Sequence, residues 1–388
     1  MRTPGHAVLG ARNAVAVVFA LNGFAFASWV ARIPEARAGL GLTPGQLGLL
    51  LLALSVGSLA GLPTAGMWVS RLGAARVVGS AALLDAAGLV VTGLGAGVLE
   101  SVPVSAAGLF LLGYGSGTWD VAMNVEGAAV EGSLGRTVMP RFHAAFSIGT
   151  VAGAGAGACA AWLGVGVSTH LVVAAVVVAA VPLSVVRRFL PVRPAEDGAE
   201  SGPGHWRAWR EPRTLAIGLM VLAMALTEGV ANDWLAVALV DGYGVEAWVG
   251  AAGFALFVTA MTAGRLVGPG MLDRFGRLPM LWSCMAVAGA GVLLVVLGER
   301  APVVVLGILL WGAGASLGFP VGMSAAADDP RHASARVSVV STIGYTAFLA
   351  GPPLLGFLGD RVGVLPALLV VAVLLVPSAA AAPAARVR

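Results

Sequence analysis

Along this chain the apolar residues neither alternate nor recur on one helical face. They run on for about twenty positions at a time, and charge is confined mostly to the short stretches between. A hydrocarbon core of about 30 Å is crossed by roughly 20 residues of helix. The pattern therefore predicts twelve spanning helices, near residues 9–31, 46–69, 75–97, 103–127, 140–163, 167–189, 213–239, 247–270, 278–298, 302–325, 336–358 and 363–385. The apolar run after Met1-Arg2 continues to about Ala31 and further spans follow, so it reads as a retained first helix, not a signal peptide. One long polar stretch, 191–212, separates the two sets of six; Arg193, Glu196, Asp197, Glu200, His205, Arg207, Arg210 and Glu211 give it a linker composition. The expected architecture is an all-α polytopic membrane protein: an N-terminal six-helix bundle over 1–190, a cytoplasmic linker over 191–212 and a C-terminal six-helix bundle over 213–388.

The two sets of six resemble each other. Ala20-Leu21 followed by Trp29 matches Ala225-Leu226 followed by Trp234 at an offset of 205, and Arg71-Leu72-Gly73 matches Arg274-Phe275-Gly276 at 203. Ile148-Gly149, Leu163-Gly164 and Val181-Pro182 match Ile343-Gly344, Leu358-Gly359 and Val376-Pro377, all at 195. An offset that shrinks in one direction is what a parallel duplication with slightly different loops produces, whereas chance matches scatter. Two related halves enclosing a midplane site is a transporter architecture.

Composition narrows this further. Of 388 residues, 58% are hydrophobic and 11% charged, with a mean hydropathy of +0.91, where a soluble domain is about 25% charged. Twelve spans leave no room for a separate soluble enzyme domain. All 23 basic residues are Arg; with the N-terminus placed inside, 19 fall on the cytoplasmic side, including Arg265, and four (Arg32, Arg37, Arg300, Arg361) on the other. That split obeys the positive-inside rule and puts both termini in the cytoplasm. The net charge of +4 implies no nucleic-acid partner. Cys159 and Cys284 sit in apolar spans with neither disulfide nor metal-ligand spacing and read as buried thiols; no metal or cofactor is expected. Glycines cluster at Gly149, Gly153, Gly155 and Gly157 and at Gly312, Gly314 and Gly318, where small residues let helix backbones approach closely, while Pro320, Pro352 and Pro353 inside spans permit bends.

Two loops carry a recognisable pattern. Gly66-Met67-Trp68-Val69-Ser70-Arg71-Leu72-Gly73-Ala74-Ala75-Arg76 follows the second span, and Asp273-Arg274-Phe275-Gly276-Arg277 the eighth. Both resemble the G-x-x-x-D-R-x-G-R cytoplasmic loop of the major facilitator superfamily; in the first, Ser70 stands where the family usually has Asp. Gly359-Asp360-Arg361-Val362-Gly363 resembles it too, but parity puts it outside, where only a turn role is expected. Span four, Gly113-Tyr114-Gly115-Ser116-Gly117-Thr118-Trp119-Asp120-Val121-Ala122-Met123-Asn124, is similar to the G-x-G-x-x-x-E-x-x-x-N helix of the fucose-permease-like sugar:proton symporters. Phe26 to Pro34, Phe142 to Gly149 and Glu228 to Trp234 look like a bacterial subgroup of uncharacterised inner-membrane permeases. The resemblance implies the major-facilitator fold, a multi-pass place in the cytoplasmic membrane, a monomer, and a conformational-gate role for Gly66, Arg71, Gly73, Arg76, Asp273, Arg274, Gly276 and Arg277.

Ionisable groups within a bilayer are expensive, about 2.5–3.5 kcal/mol each on insertion scales, and default to functional hypotheses. Asp120 and Asn124, and likewise Glu228 and Asn232, are four apart and share a helical face. Asp120 also matches the residue that takes the coupling proton in the resembling symporters, so Asp120 and Glu228 are the proton-coupling candidates, each weighed against an acid held by an internal partner. Asn22, Trp119, Asn124, His143, Asn232, Asp233 and Trp234 are the substrate-binding candidates, with a structural role somewhat favoured for His143 and a supporting one equally open for Asp233. Asp85 shows no partner and is read as structural; Glu126 is expected to pair with Arg71 or Arg76.

The reading these residues favour is proton-coupled alternating-access transport of a sugar-like or other small polar solute. Efflux of a drug or metabolite by proton antiport is the alternative, and a transporter-like membrane sensor is the alternative of another class. An intramembrane enzyme is disfavoured by the absence of a His-Glu-x-x-His helix and of a phosphate-cradling loop.

Overall fold

A computed structural model of the chain describes residues 5–136, 138–190, 208–329 and 332–386. The expected linker lies outside the described residues except for its last five positions, 208–212. Among the described residues the regular structure is helical throughout. In chain order the helices are α1 His6–Val30, α2 Ile33–Leu40, α3 Pro44–Leu72, α4 Ala74–Gly97, α5 Val102–Leu134, α6 Met139–Trp162 and α7 Val167–Val185, then α8 Pro212–Val230, α9 Ala236–Tyr243, α10 Ala247–Phe275, α11 Arg277–Leu297, α12 Ala301–Ala315, α13 Gly318–Ala326, α14 Ala333–Val362, α15 Val364–Ala367 and α16 Leu369–Ala381. A π-helical turn, Ala231–Leu235, joins α8 to α9, and 3₁₀ turns at Val186–Arg188 and Ala382–Ala385 follow α7 and α16.

Among the described residues, eleven helical stretches are long and apolar enough to cross a membrane. Helix α5 is not one of them, although its 33 residues would reach about 50 Å at 1.5 Å each. Gly113, Gly115, Ser116, Gly117, Thr118, Asp120 and Asn124 dilute its hydropathy. The tenth expected span is interrupted: α12 stops at Ala315, and α13 restarts two residues before Pro320. There proline occupies a helix start, where its missing N–H is not needed. Pro352 and Pro353, by contrast, lie inside a continuous α14.

Helix ends follow local chemistry. Proline in the first turn opens α2, α3, α5, α6, α8 and α12. At α3 it is joined by a capping box in which Gln46 N–H donates to Thr43 Oγ1 at 3.3 Å and Thr43 N–H to Gln46 Oε1 at 3.0 Å.

The chain packs as two compact units, Met1–Glu196 with Glu246–Ala255, and Asp197–Val245 with Leu256–Arg388. In the first, the extensive helix pairs are α4 with α5, α3 with α5, α1 with α6 and α4 with α7; in the second, α11 pairs with α12 and α16, and α8 with α14. Close contacts repeat in detail. A Cβ on Gly88 would lie 2.8 Å from the Gly108 carbonyl oxygen, and one on Gly291 would lie 2.7 Å from that of Gly307. Gly115 packs against the backbone of Ala81 and Asp85, and Gly314 against that of Cys284 and Ala288. These pairs are offset by 203 on the earlier helix and 199 on the later one, between the values read from the motifs. The duplication is thus also a duplication of helix crossings, each set by a glycine that admits another backbone.

Candidate functional site

Helix α5 carries the polar face of the first unit. Ser116, Asp120 and Asn124 are spaced by four and stand above one another, all partly buried. Asn124 Nδ2 donates to the Asp120 backbone oxygen at 2.8 Å and to its Oδ1 at 3.3 Å. Among the described residues no basic side chain pairs with Asp120. Above it, Ser116 Oγ donates to Oδ2 of Asp85 on α4 at 3.0 Å. Asp85 therefore has a partner that spacing did not reveal. It is 0% exposed, and its Oδ1 has no hydrogen bond, a shortfall that costs roughly 1–3 kcal/mol for a buried polar group.

In the second unit Glu228 does not turn to Asn232. Nη2 of Arg265 donates to both of its carboxylate oxygens, at 3.0 and 2.9 Å. Arg265 is one of the arginines expected on the cytoplasmic side. It lies on the face of α10 that buries Phe257, Val258, Met261 and Thr262, while Leu266 and Val267 on the other side are exposed. Three residues after Glu228 the helix widens into the π turn, which holds Asn232, Asp233 and Trp234. π-bulges occur often at functional sites, and the extra residue re-aims the side chains around it. Asn232 and Asp233 follow one another within this turn. Both are partly buried.

Other candidates are more enclosed than expected. Trp119 and Trp234 are each 0% exposed with the indole nitrogen unpaired, so neither presents an open ring face to a ligand in this conformation. Asn22 is 5% exposed and its Nδ2 also lacks a partner. His143 is exposed near the start of α6, its ring edge-on to Phe19 at 5.3 Å. Cys159 is exposed on α6, against expectation, and Cys284 is buried.

The two signature loops share one backbone solution. Gly73 ends α3 and starts α4 at φ 82°, ψ 153°; Gly276 joins α10 to α11 at φ 81°, ψ 166°. Side chains disfavour this region. Gly363, in the outward-assigned copy, adopts φ 89°, ψ 151°, which agrees with a turn role. Around the loops, Arg71, Arg76, Asp273 and Arg274 are exposed and Gly66 has open space beside it. Arg277 reaches Asp328 at 2.6 Å, whose other oxygen is held by Arg213 at 3.0 Å. Glu126 pairs with neither Arg71 nor Arg76; it accepts the backbone N–H of Leu190, after the 3₁₀ turn, at 2.6 Å. Arg32, expected in an outer loop, is 1% exposed, ion-paired with Glu35, and donates to the Val165 carbonyl at 2.6 Å.

Comparison with known proteins agrees with this layout. An uncharacterised MFS-type transporter of Yersinia pestis is 31% identical over 370 residues, covering 95% of this chain and 94% of that protein. A variant of the nucleoside transporter NupG matches with a TM-score of 0.80 at 14% identity, over 97% of this chain and 99% of its own. A variant of the E. coli fucose:proton symporter FucP matches with a TM-score of 0.63 at 16% identity, over 98% and 100%. At these identities the structural likeness is one of fold. The family model for the Major Facilitator Superfamily matches residues 15–352, and the chain belongs to that superfamily as a multi-pass membrane transporter.

Proposed function

We propose that this transporter moves a small polar, sugar-like solute across the cytoplasmic membrane by alternating access, coupled to a proton. In this reading α5 is the fourth of twelve spans, both termini are cytoplasmic, the bundles 1–190 and 213–388 are joined by the linker 191–212, and one chain is the working unit. The observation that carries the coupling is Asp120: a partly buried carboxyl in a polar helix, bonded to Asn124, with no basic partner among the described residues. An acid so placed can take up a proton without first breaking an ion pair. Glu228 would have to leave Arg265 to do the same, so Asp120 is the proton carrier and the Glu228–Arg265 pair a charge-neutral element of the solute site. Asn22, Asn124, His143, Asn232 and Asp233 supply hydrogen-bonding groups suited to hydroxyls, and the loops with Gly66, Gly73 and Gly276 and their charged neighbours serve as the gate.

The test is accumulation in proteoliposomes under an imposed pH gradient, with a panel of radiolabelled sugars and nucleosides. At least one solute should accumulate with the gradient, and Asp120→Asn should abolish accumulation while keeping solute exchange. If Asp120→Asn accumulates solute as well as the unmodified protein, Asp120 is not the proton carrier.

A further inference from the structure

The internal duplication makes a comparison that a single fold does not. Each unit crosses its third and fourth spans through the same glycine contact: Gly115 against Ala81 and Asp85 in the first, Gly314 against Cys284 and Ala288 in the second. At the offsets those contacts define, Asp85 corresponds to Ala288, Ser116 to Ala315, Asp120 to Phe319 and Asn124 to Met323. At these four positions the second unit carries apolar side chains. Packing therefore does not require a carboxyl at Asp85, which is fully buried with one oxygen unpaired. The whole polar line, Asp85 to Ser116 and on down one face of α5 to Asp120 and Asn124, is present in the first unit only.

We propose that Asp85 is a second proton-holding site, linked to Asp120 through the Ser116 hydroxyl. This rests on the proton-coupled reading above. Ser116 Oγ donates to Asp85 at 3.0 Å and stands one helical turn from Asp120 on the same face; the relay requires this hydroxyl to turn from the one carboxyl to the other. In the transfer, protonated Asp120 gives its proton to Ser116 Oγ as the hydroxyl gives its own to the Asp85 carboxylate. One O–H bond breaks and one forms at each step, Ser116 ends as a hydroxyl, and the charge moves from Asp85 to Asp120. The reverse sequence returns the proton. The other titratable or charged groups on elements packed against α4 are Tyr114, Glu126 and Glu131 on α5, His6 and Arg12 in α1, Glu35 and Arg37 in α2, Arg71 in α3, and His170, Arg187 and Arg188 on α7 and the turn after it. Asp85 pairs with none of them, and Ser116 is its hydrogen-bond partner among the described residues.

Two measurements on the purified full-length protein test this without a known solute. The double variant Asp85→Ala/Ser116→Ala copies the second unit's packing, and its thermal unfolding in detergent should be at least as high as that of the unmodified protein. A drop of several degrees would show that the carboxyl is structural. Infrared difference spectra across pH should contain a protonated-carboxyl carbonyl band that Asp85→Asn removes, and whose midpoint moves in Asp120→Asn and in Ser116→Ala. A band for Asp85 that does not titrate, or that ignores both variants, overturns the proposal. Failure of the coupling reading is separate and visible elsewhere: the unmodified protein then accumulates no solute with a pH gradient, whatever the infrared band does.

Discussion

Arg265 on α10 holds both carboxylate oxygens of Glu228 on α8 through one nitrogen, at 3.0 and 2.9 Å, across 37 residues of sequence. Each side chain alone is an uncompensated charge within a spanning helix; together they are neutral. The pair is partly enclosed, with 29% and 18% of the side chains exposed. Its worth therefore falls between that of an exposed pair, below about 1 kcal/mol, and the roughly 3–5 kcal/mol lost when one partner of a buried pair is removed.

Glu228→Gln and Arg265→Gln should each destabilise the protein by about 1–3 kcal/mol, and the double variant by less than the sum of the two. Thermal unfolding of all four proteins in detergent completes the cycle. Strictly additive losses would mean that the two side chains do not interact.

Gly149→Ala should be poorly tolerated and Gly155→Ala well tolerated, although the two lie in one helix. A Cβ at Gly149 would collide with the Ala20 carbonyl of α1, which is backbone and cannot swing away; nothing lies within 4 Å of one at Gly155. Overpacking of this kind costs about 1–3 kcal/mol, whereas an unobstructed Gly→Ala in a helix gains roughly 0.5–1 kcal/mol. Yield of folded protein and unfolding temperature should therefore move in opposite directions for the two variants.

Gly73→Ala and Gly276→Ala should each cost about 1–3 kcal/mol from backbone strain alone, since both residues sit near φ 80° with extended ψ. The strain lies where one helix ends and the next begins, so unfolding temperature should fall in both. Equal stability of either variant with the parent would show that the loop relaxes to another conformation.

At the start of α8, hydrogen bonding from Arg336 holds the Glu211 carboxyl below its usual range, with the Thr214 hydroxyl adding to the effect against partial burial. A carboxyl whose value is depressed by folding stabilises the folded state above its unfolded value, and that contribution is lost as pH falls through the lower folded one. Unfolding temperature should therefore decline on the acid side of about pH 4.3, and Arg336→Gln should flatten this decline. Glu211 is 32% exposed, so the effect stays below about 1 kcal/mol. An acid limb unchanged in Arg336→Gln would assign it to other carboxyls.

Much of this was legible in the sequence. The long apolar helices were visible because a bilayer tests each segment on its own: length and transfer free energy are properties of a one-dimensional window. The duplication was legible through Arg71-Leu72-Gly73 and Arg274-Phe275-Gly276, and the repeated glycine crossings then carried it into three dimensions. Asp120 with Asn124 was also readable, since a spacing of four fixes a shared face.

Partnership between helices was not readable. Whether Glu228 turns to Asn232, one turn away, or to Arg265 on another helix depends on the rotation and register of two helices, and the π turn after Val230 resets both. For the same reason Ser116 meets Asp85, Glu126 meets the Leu190 amide, and Arg32 is buried beneath Val165 although its position in the chain places it in a loop. The apolar pattern determined that this chain lives in a membrane as a set of spanning helices. Only tertiary packing decided which charges are neutralised, because in a medium without water each one must find its partner in space, wherever that partner lies along the chain.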